Sequence, residues 1–182
     1  MQTISLEVYS AKELKEQHSE AFEEAYERFK LSQYDFGLAW EREMLASLKA
    51  LIDLGGYQLK DYCLGGSDCR GNNIKINERD CDELKGKRAF AWLENNILSK
   101  LRDNKGQLDC GKLTGYCFDY DLVKALQKSI REGSTIRDAF KGLAYTYAEQ
   151  VDREWEDQTS EERFLDDAEA NEWQFFKDGR RV

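Results

Sequence analysis

His18 is the single imidazole among 182 residues, so any Ser-His, Cys-His or histidine-metal mechanism has to pass through it. It stands between Leu14 and Phe22 at helical spacing, on what should be the buried stripe of a helix. That position reads as a packed side chain rather than a general base. The five cysteines fall at 63, 69, 81, 110 and 117. None forms the short-spaced pair that a four-ligand zinc site draws on, so no metal is expected. The odd count reads as free thiols, with Cys63 a small core residue inside an expected strand. Gly55-Gly56 and Gly65-Gly66 fit neither phosphate-binding glycine pattern and lack the strand-then-helix context, so no nucleotide cofactor is expected.

Carboxylates are the abundant chemical groups. From Glu149 to Glu172 there are eleven acids against Arg153 and Arg163, a net of −9, which equals the net charge of the whole chain. Asp152 with Glu156, Glu162 with Asp166, and the doublet Asp166-Asp167 are close enough in sequence to pair for acid-base work or for magnesium. A nuclease also needs cations to hold its substrate, and this segment would repel one. Direct binding of nucleic acid is unexpected for the same reason, since affinity for phosphate comes from clustered Lys and Arg. No enzymatic activity is expected. Charge held this locally creates a directional field that steers encounters with an oppositely charged surface. The expected partner-binding residues are Glu149, Asp152, Glu156, Asp157, Glu161, Glu162, Asp166 and Asp167.

The elements that must carry these groups follow from periodicity. Ile4, Leu6 and Val8 alternate with polar neighbours, as in a half-buried strand. Ser10-Ala11-Lys12-Glu13 is a capping box that opens a helix with the stripe Leu14, His18, Phe22, Ala25 and Phe29. A second helix is predicted over Phe36 to Leu54, ended by Gly55-Gly56. Tyr57 to Leu64 and Asn73 to Asn77 read as an antiparallel hairpin with a long tip. A third helix is predicted over Asp82 to Arg102 with Phe90, Leu93, Ile97 and Leu101 on one side. Leu113 to Phe118 fits a short strand or an extended approach. Leu122, Leu126 and Ile130 mark a fourth helix before Gly133, with Asp119 and Asp121 as candidate caps. Thr135-Ile136-Arg137-Asp138 launches a long helix with the stripe Ile136, Phe140, Leu143, Tyr147, Val151 and Trp155. A further box at Thr159-Ser160-Glu161-Glu162 opens a short helix to Ala170, and Trp173 to Arg181 reads as a strand ended by a turn. The expected fold is α+β: five or six helices around a small, largely antiparallel sheet made from the N-terminal strand, the hairpin and the final strand. With no linker, repeat or low-complexity run, residues 1–182 are expected to form a single domain with an acidic helical segment over 149–172. Nothing approaches the apolar length of a membrane span and the N-terminus lacks a signal-peptide pattern, so a cytoplasmic location is expected.

The opening I-S-L-E-V-Y-S-x-x-E-L, in which Tyr9, Glu13 and Leu14 follow a short strand, resembles that of small proteins encoded by tailed phages and prophages. The ending Phe175-Phe176-Lys177-Asp178-Gly179-Arg180-Arg181 is similar to their aromatic-x-D-G-[RK]-R finish. The resemblance covers about a fifth of the chain and involves no catalytic motif. It implies an inhibitor of the anti-CRISPR or antirestriction type, free of cofactor and metal, whose carboxylates occupy the basic nucleic-acid groove of a host protein or ribonucleoprotein. Helical carboxylates four residues apart lie roughly 6 Å apart along the axis, of the order of the spacing between phosphates of one strand. The alternative is an interaction or assembly module working through an aromatic surface that includes Trp155 and Trp173. A homodimer is compatible with either reading.

Overall fold

The computed structural model describes residues 7–63 and 73–182, with the side chains of residues 34–38 left aside. The fold is α+β and mostly helical. Six α-helices, α1 (Ala11–Gln17), α2 (Ser19–Leu54), α3 (Gly86–Leu93), α4 (Phe118–Arg131), α5 (Ile136–Gln158) and α6 (Glu161–Ala170), accompany one antiparallel hairpin, β1 (Leu59–Cys63) and β2 (Asn73–Ile76). A π-helical turn, Glu94–Leu98, continues α3, and a 3-10 turn spans Cys110–Lys112. The chain divides into two compact units, one made of residues 1–38 and 153–182 and the other of residues 39–152. The division falls within α2 and within α5, so each of these helices supplies residues to both.

In the first unit, Ser10 caps α1 as expected. The Glu13 amide donates to its Oγ at 3.2 Å, and the Ser10 amide donates back to Glu13 Oε2 at 2.8 Å. The helix nevertheless ends after Gln17, because His18 leaves helical geometry with φ −142° and ψ 63°. The single helix expected over the first thirty residues is therefore two, and the second runs unbroken to Leu54. A lone glycine inside a helix costs only about 1 kcal/mol, and without a proline Gly37 does not stop it. Leu14, Phe22, Ala25 and Phe29 are buried as the stripe requires, and they meet Phe164, Ala168 and Phe175. Phe164 is the hub, with ring centroids 5.2 Å from Phe29, 5.5 Å from Phe22, 5.7 Å from Tyr26 and 6.0 Å from Phe175.

The C-terminal residues do not form the expected strand. Phe175 makes isolated antiparallel bridges to Tyr9 and to Arg181, so the two ends of the chain meet through single bridges rather than a sheet. The rest of the expected N-terminal strand lies outside the described residues. Gly179, at φ +76°, ends the tight turn from Phe176; a Cβ there would stand 2.2 Å from the Ala21 carbonyl oxygen, so only glycine fits.

In the second unit, Met44, Leu48, Leu51 and Ile52 of α2 pack with Ile74 and Ile76 of β2, and with Leu93, Leu122, Leu126, Phe140 and Leu143. Leu59 pairs with Ile76 and Cys63 with Asn73 across the hairpin; its tip lies outside the described residues. Among the described residues this hairpin is the whole sheet, small and antiparallel as expected, and the final strand is not part of it. The third helix starts four residues later than predicted. Asp82 is not at its start but buried, accepting a hydrogen bond from the Tyr57 hydroxyl at 2.6 Å and from the Arg79 amide at 3.1 Å. Burial, and then the bond to this carboxylate, push the Tyr57 phenol well above its ordinary range. Leu113 to Phe118 is a turn rather than a strand, organised by buried Asp119. Its Oδ2 accepts from the Thr114 and Gly115 amides, each at 2.9 Å, and its Oδ1 from the Thr114 hydroxyl at 2.9 Å. Thr135 accepts from the Asp138 amide at 3.0 Å to start α5.

Candidate functional site

The acidic segment is built on the end of α5 and the whole of α6. Ser160, rather than Thr159, caps α6 by accepting from the Arg163 amide at 3.1 Å, while the Thr159 hydroxyl bonds back to the Trp155 carbonyl. Phe164 and Ala168 face the core, which turns the acids of α6 outward. Glu156, Asp157, Glu162, Asp166, Glu169 and Glu172 are exposed, and Glu161 and Asp167 are half-buried. Glu149 and Asp152 are also exposed but belong to the second unit. The structure therefore does not gather all eight expected residues into one unit: six lie in the first and two in the second.

Some of this charge is matched internally. Lys12 bonds Glu169, Lys15 Nζ lies 2.5 Å from Glu161 Oε1, and Arg163 Nε lies 3.2 Å from Asp167 Oδ1. The two lysine pairs join α1 to α6. The Lys12 bond and charge hold the Glu169 carboxyl below the ordinary glutamate value. All three pairs are substantially exposed, so each contributes little stability. Of the eight expected residues, Glu156, Asp157, Glu162 and Asp166 are the exposed ones of the first unit outside these pairs.

A second group of carboxylates was not singled out from the sequence. Glu16, Glu20 and Glu23 on α1 and the start of α2 are exposed and belong to the same unit. Divided by unit, the charge becomes uneven: the first unit holds 18 acids against 9 bases, and the second 18 against 18. The −9 excess is thus assembled from two segments far apart in sequence. A charge count over residues 11–27, with six acids and two lysines, would have signalled the N-terminal share.

The aromatic residues of the alternative reading are not a free surface. Trp173 is half-buried against Phe29 and Phe164, with the Arg181 guanidinium 4.7 Å from its ring. Trp155 is half-buried. Among the described residues the exposed aromatic rings lie in the second unit, at Tyr62, Phe90, Tyr120 and Tyr145. Of the expected core stripe, Leu93, Ile97 and Leu101 are buried, but Ala89 rather than Phe90 takes the inward position before them.

His18 closes α1, and its imidazole stands edge-on to Tyr9 with ring centroids 4.9 Å apart. Its Nε2 is shut off from solvent and has no hydrogen-bond partner among the described residues. Cys81, Cys110 and Cys117 are free thiols, and burial pushes the Cys110 thiol up, which makes it a poor nucleophile at neutral pH. Cys63 is disulfide-bonded, and its partner lies outside the described residues. This corrects the expectation of five free thiols; an odd count leaves room for a pair. Among the described residues no group of three or more His, Cys, Asp or Glu side chains is placed to hold a metal ion. No described helix is long and apolar enough to cross a membrane. No protein-family model matches the chain, and neither a curated protein nor a solved structure matches it.

Proposed function

We propose that the chain is a non-enzymatic inhibitor of phage or prophage origin, acting in the host cytoplasm. In this reading it binds a host nucleic-acid-handling protein or ribonucleoprotein through the acidic first unit. The observation that carries the reading is that Glu156, Asp157, Glu162 and Asp166 are exposed, as are Glu16, Glu20 and Glu23, in a unit with twice as many acids as bases. Carboxylates fixed on helices that pack through Phe164 present their charge with little ordering left to do on binding. They suit a groove lined with Lys and Arg for phosphate, and the same charge repels nucleic acid itself.

The test is capture of host proteins on the immobilised chain at about 50 and about 500 mM salt. Screening at the higher value shortens the reach of exposed charges to a few ångströms. The expected outcome is retention of nucleic-acid-binding proteins at low salt, their release at high salt, and competition by added double-stranded DNA. Retention that is indifferent to both salt and DNA would sink the proposal.

A further inference from the structure

The second unit carries a cleft of about 570 Å³ that the acidic reading leaves unused. One wall is the exposed face of α3 and the start of the π turn, with Lys87, Phe90, Ala91 and Asn95; the other is the C-terminal end of α4, with Ile130 and Arg131. Phe90 is 37% exposed, a large apolar ring left out of a core that the neighbouring Ala89 and Leu93 fill. The Arg131 guanidinium lies 5.8 Å from the Phe90 ring centroid, so ring and cation form one amphipathic edge.

The charge of this cleft is one-sided. Its acid, Glu94, is taken up by Arg102, whose Nη2 and Nε donate at 2.7 and 3.1 Å. Among the described residues neither Lys87 nor Arg131 has an ion pair. The exposed acid next in sequence to Arg131, Glu132, lies 3.9 Å from Lys128. A π turn at the end of the α3 wall is a second feature of the same place, since such turns cluster at functional sites.

We infer that this cleft docks an acidic peptide segment of a protein partner, with an apolar side chain laid on Phe90 and Ala91 and flanking carboxylates held by Lys87 and Arg131. A small molecule is disfavoured because enclosed pockets bury most of a ligand, whereas Lys87, Phe90, Ala91, Asn95 and Arg131 are all exposed and would hold it from one side. Nucleic acid is disfavoured because two cations over an apolar floor supply few of the phosphate contacts that such binding draws on. Exposed aromatic and arginine side chains together are the pattern of an interface anchor.

The experiment is calorimetric titration of the full chain with a short end-blocked peptide carrying two leucines and a phenylalanine flanked by glutamates. A second peptide has lysines in place of the glutamates, and a double-stranded DNA of about twenty base pairs serves as a third titrant. The expected result is binding of the acidic peptide at least tenfold tighter than the basic one, with no binding of the DNA. Arg131→Glu and Phe90→Ala should each weaken that binding about tenfold or more. Arg131 is exposed, so its variant keeps the test decisive should Phe90→Ala lower the melting temperature. Absence of heat with the acidic peptide, equal affinity for the basic one, binding of the DNA, or indifference to Arg131→Glu would each overturn the proposal.

Discussion

The two units solve the same problem with opposite surfaces. Each buries its own aliphatic and aromatic cluster, one around Phe164 and the other around Leu122, Leu126 and Phe140. The first then presents an excess of nine negative charges, while the second is balanced, with 18 acids and 18 bases. They also treat buried polar groups differently. The second unit contains Ser47, Asp82, Asp119 and Thr135, all buried, and supplies donors to both carboxylates. Among the described residues the fully buried side chains of the first unit are apolar, and its one buried polar atom without a partner is His18 Nε2. Three carboxylates of α6, Glu161, Asp167 and Glu169, are tied to Lys15, Arg163 and Lys12, while Glu162 and Asp166 are exposed and carry the proposed recognition.

That contrast makes different substitutions costly in the two units. Phe164→Ala removes the hub of the first cluster and should destabilise the protein by about 3–5 kcal/mol. The loss would be read as a lower denaturation midpoint, with hydrogen-exchange protection falling in α1 and α6 before α4. Equal loss of protection in α4 would mean that the clusters do not act separately.

A smaller effect is expected from acid. The folded-state value of Glu169 is lowered by its bond to Lys12, so the unfolded chain binds the proton more readily. The resulting stability is present above the ordinary glutamate value of 4.5 and is lost as pH falls through the lowered folded value. Lys12→Met should therefore lower the melting temperature slightly near neutrality and flatten its fall below that value. A slope as steep as that of the unaltered chain would show that the pair contributes nothing.

Much of this contrast could be read from residue order, because long apolar stripes are robust signals. Leu122, Leu126 and Ile130, or Ile136, Phe140, Leu143 and Tyr147, are buried where their spacing places them. The failures are local. The break at His18 depends on a backbone turn that no glycine or proline marks. Phe90 looked like core because it is large and apolar, yet small Ala89 takes the inward position. Asp82 looked like the start of a helix, but it is buried and accepts from the Tyr57 hydroxyl, 25 residues earlier. For the candidate site, the carboxylates of α6 were legible as a charge run. Which of them Lys12, Lys15 and Arg163 neutralise was not, because two of those three partners are about 150 residues away in sequence.

The most direct measurement compares two charge reversals of equal size against one captured partner: Glu162→Lys with Asp166→Lys in the first unit, and Asp121→Lys with Glu132→Lys in the second. Both pairs change the net charge by the same amount at exposed sites. The account predicts that the first pair weakens binding at least tenfold, about 1.4 kcal/mol, and flattens its dependence on salt, while the second changes affinity less than about twofold. Equal losses from both pairs would mean that only total charge matters, and a larger loss from the second would place the contact surface in the wrong unit.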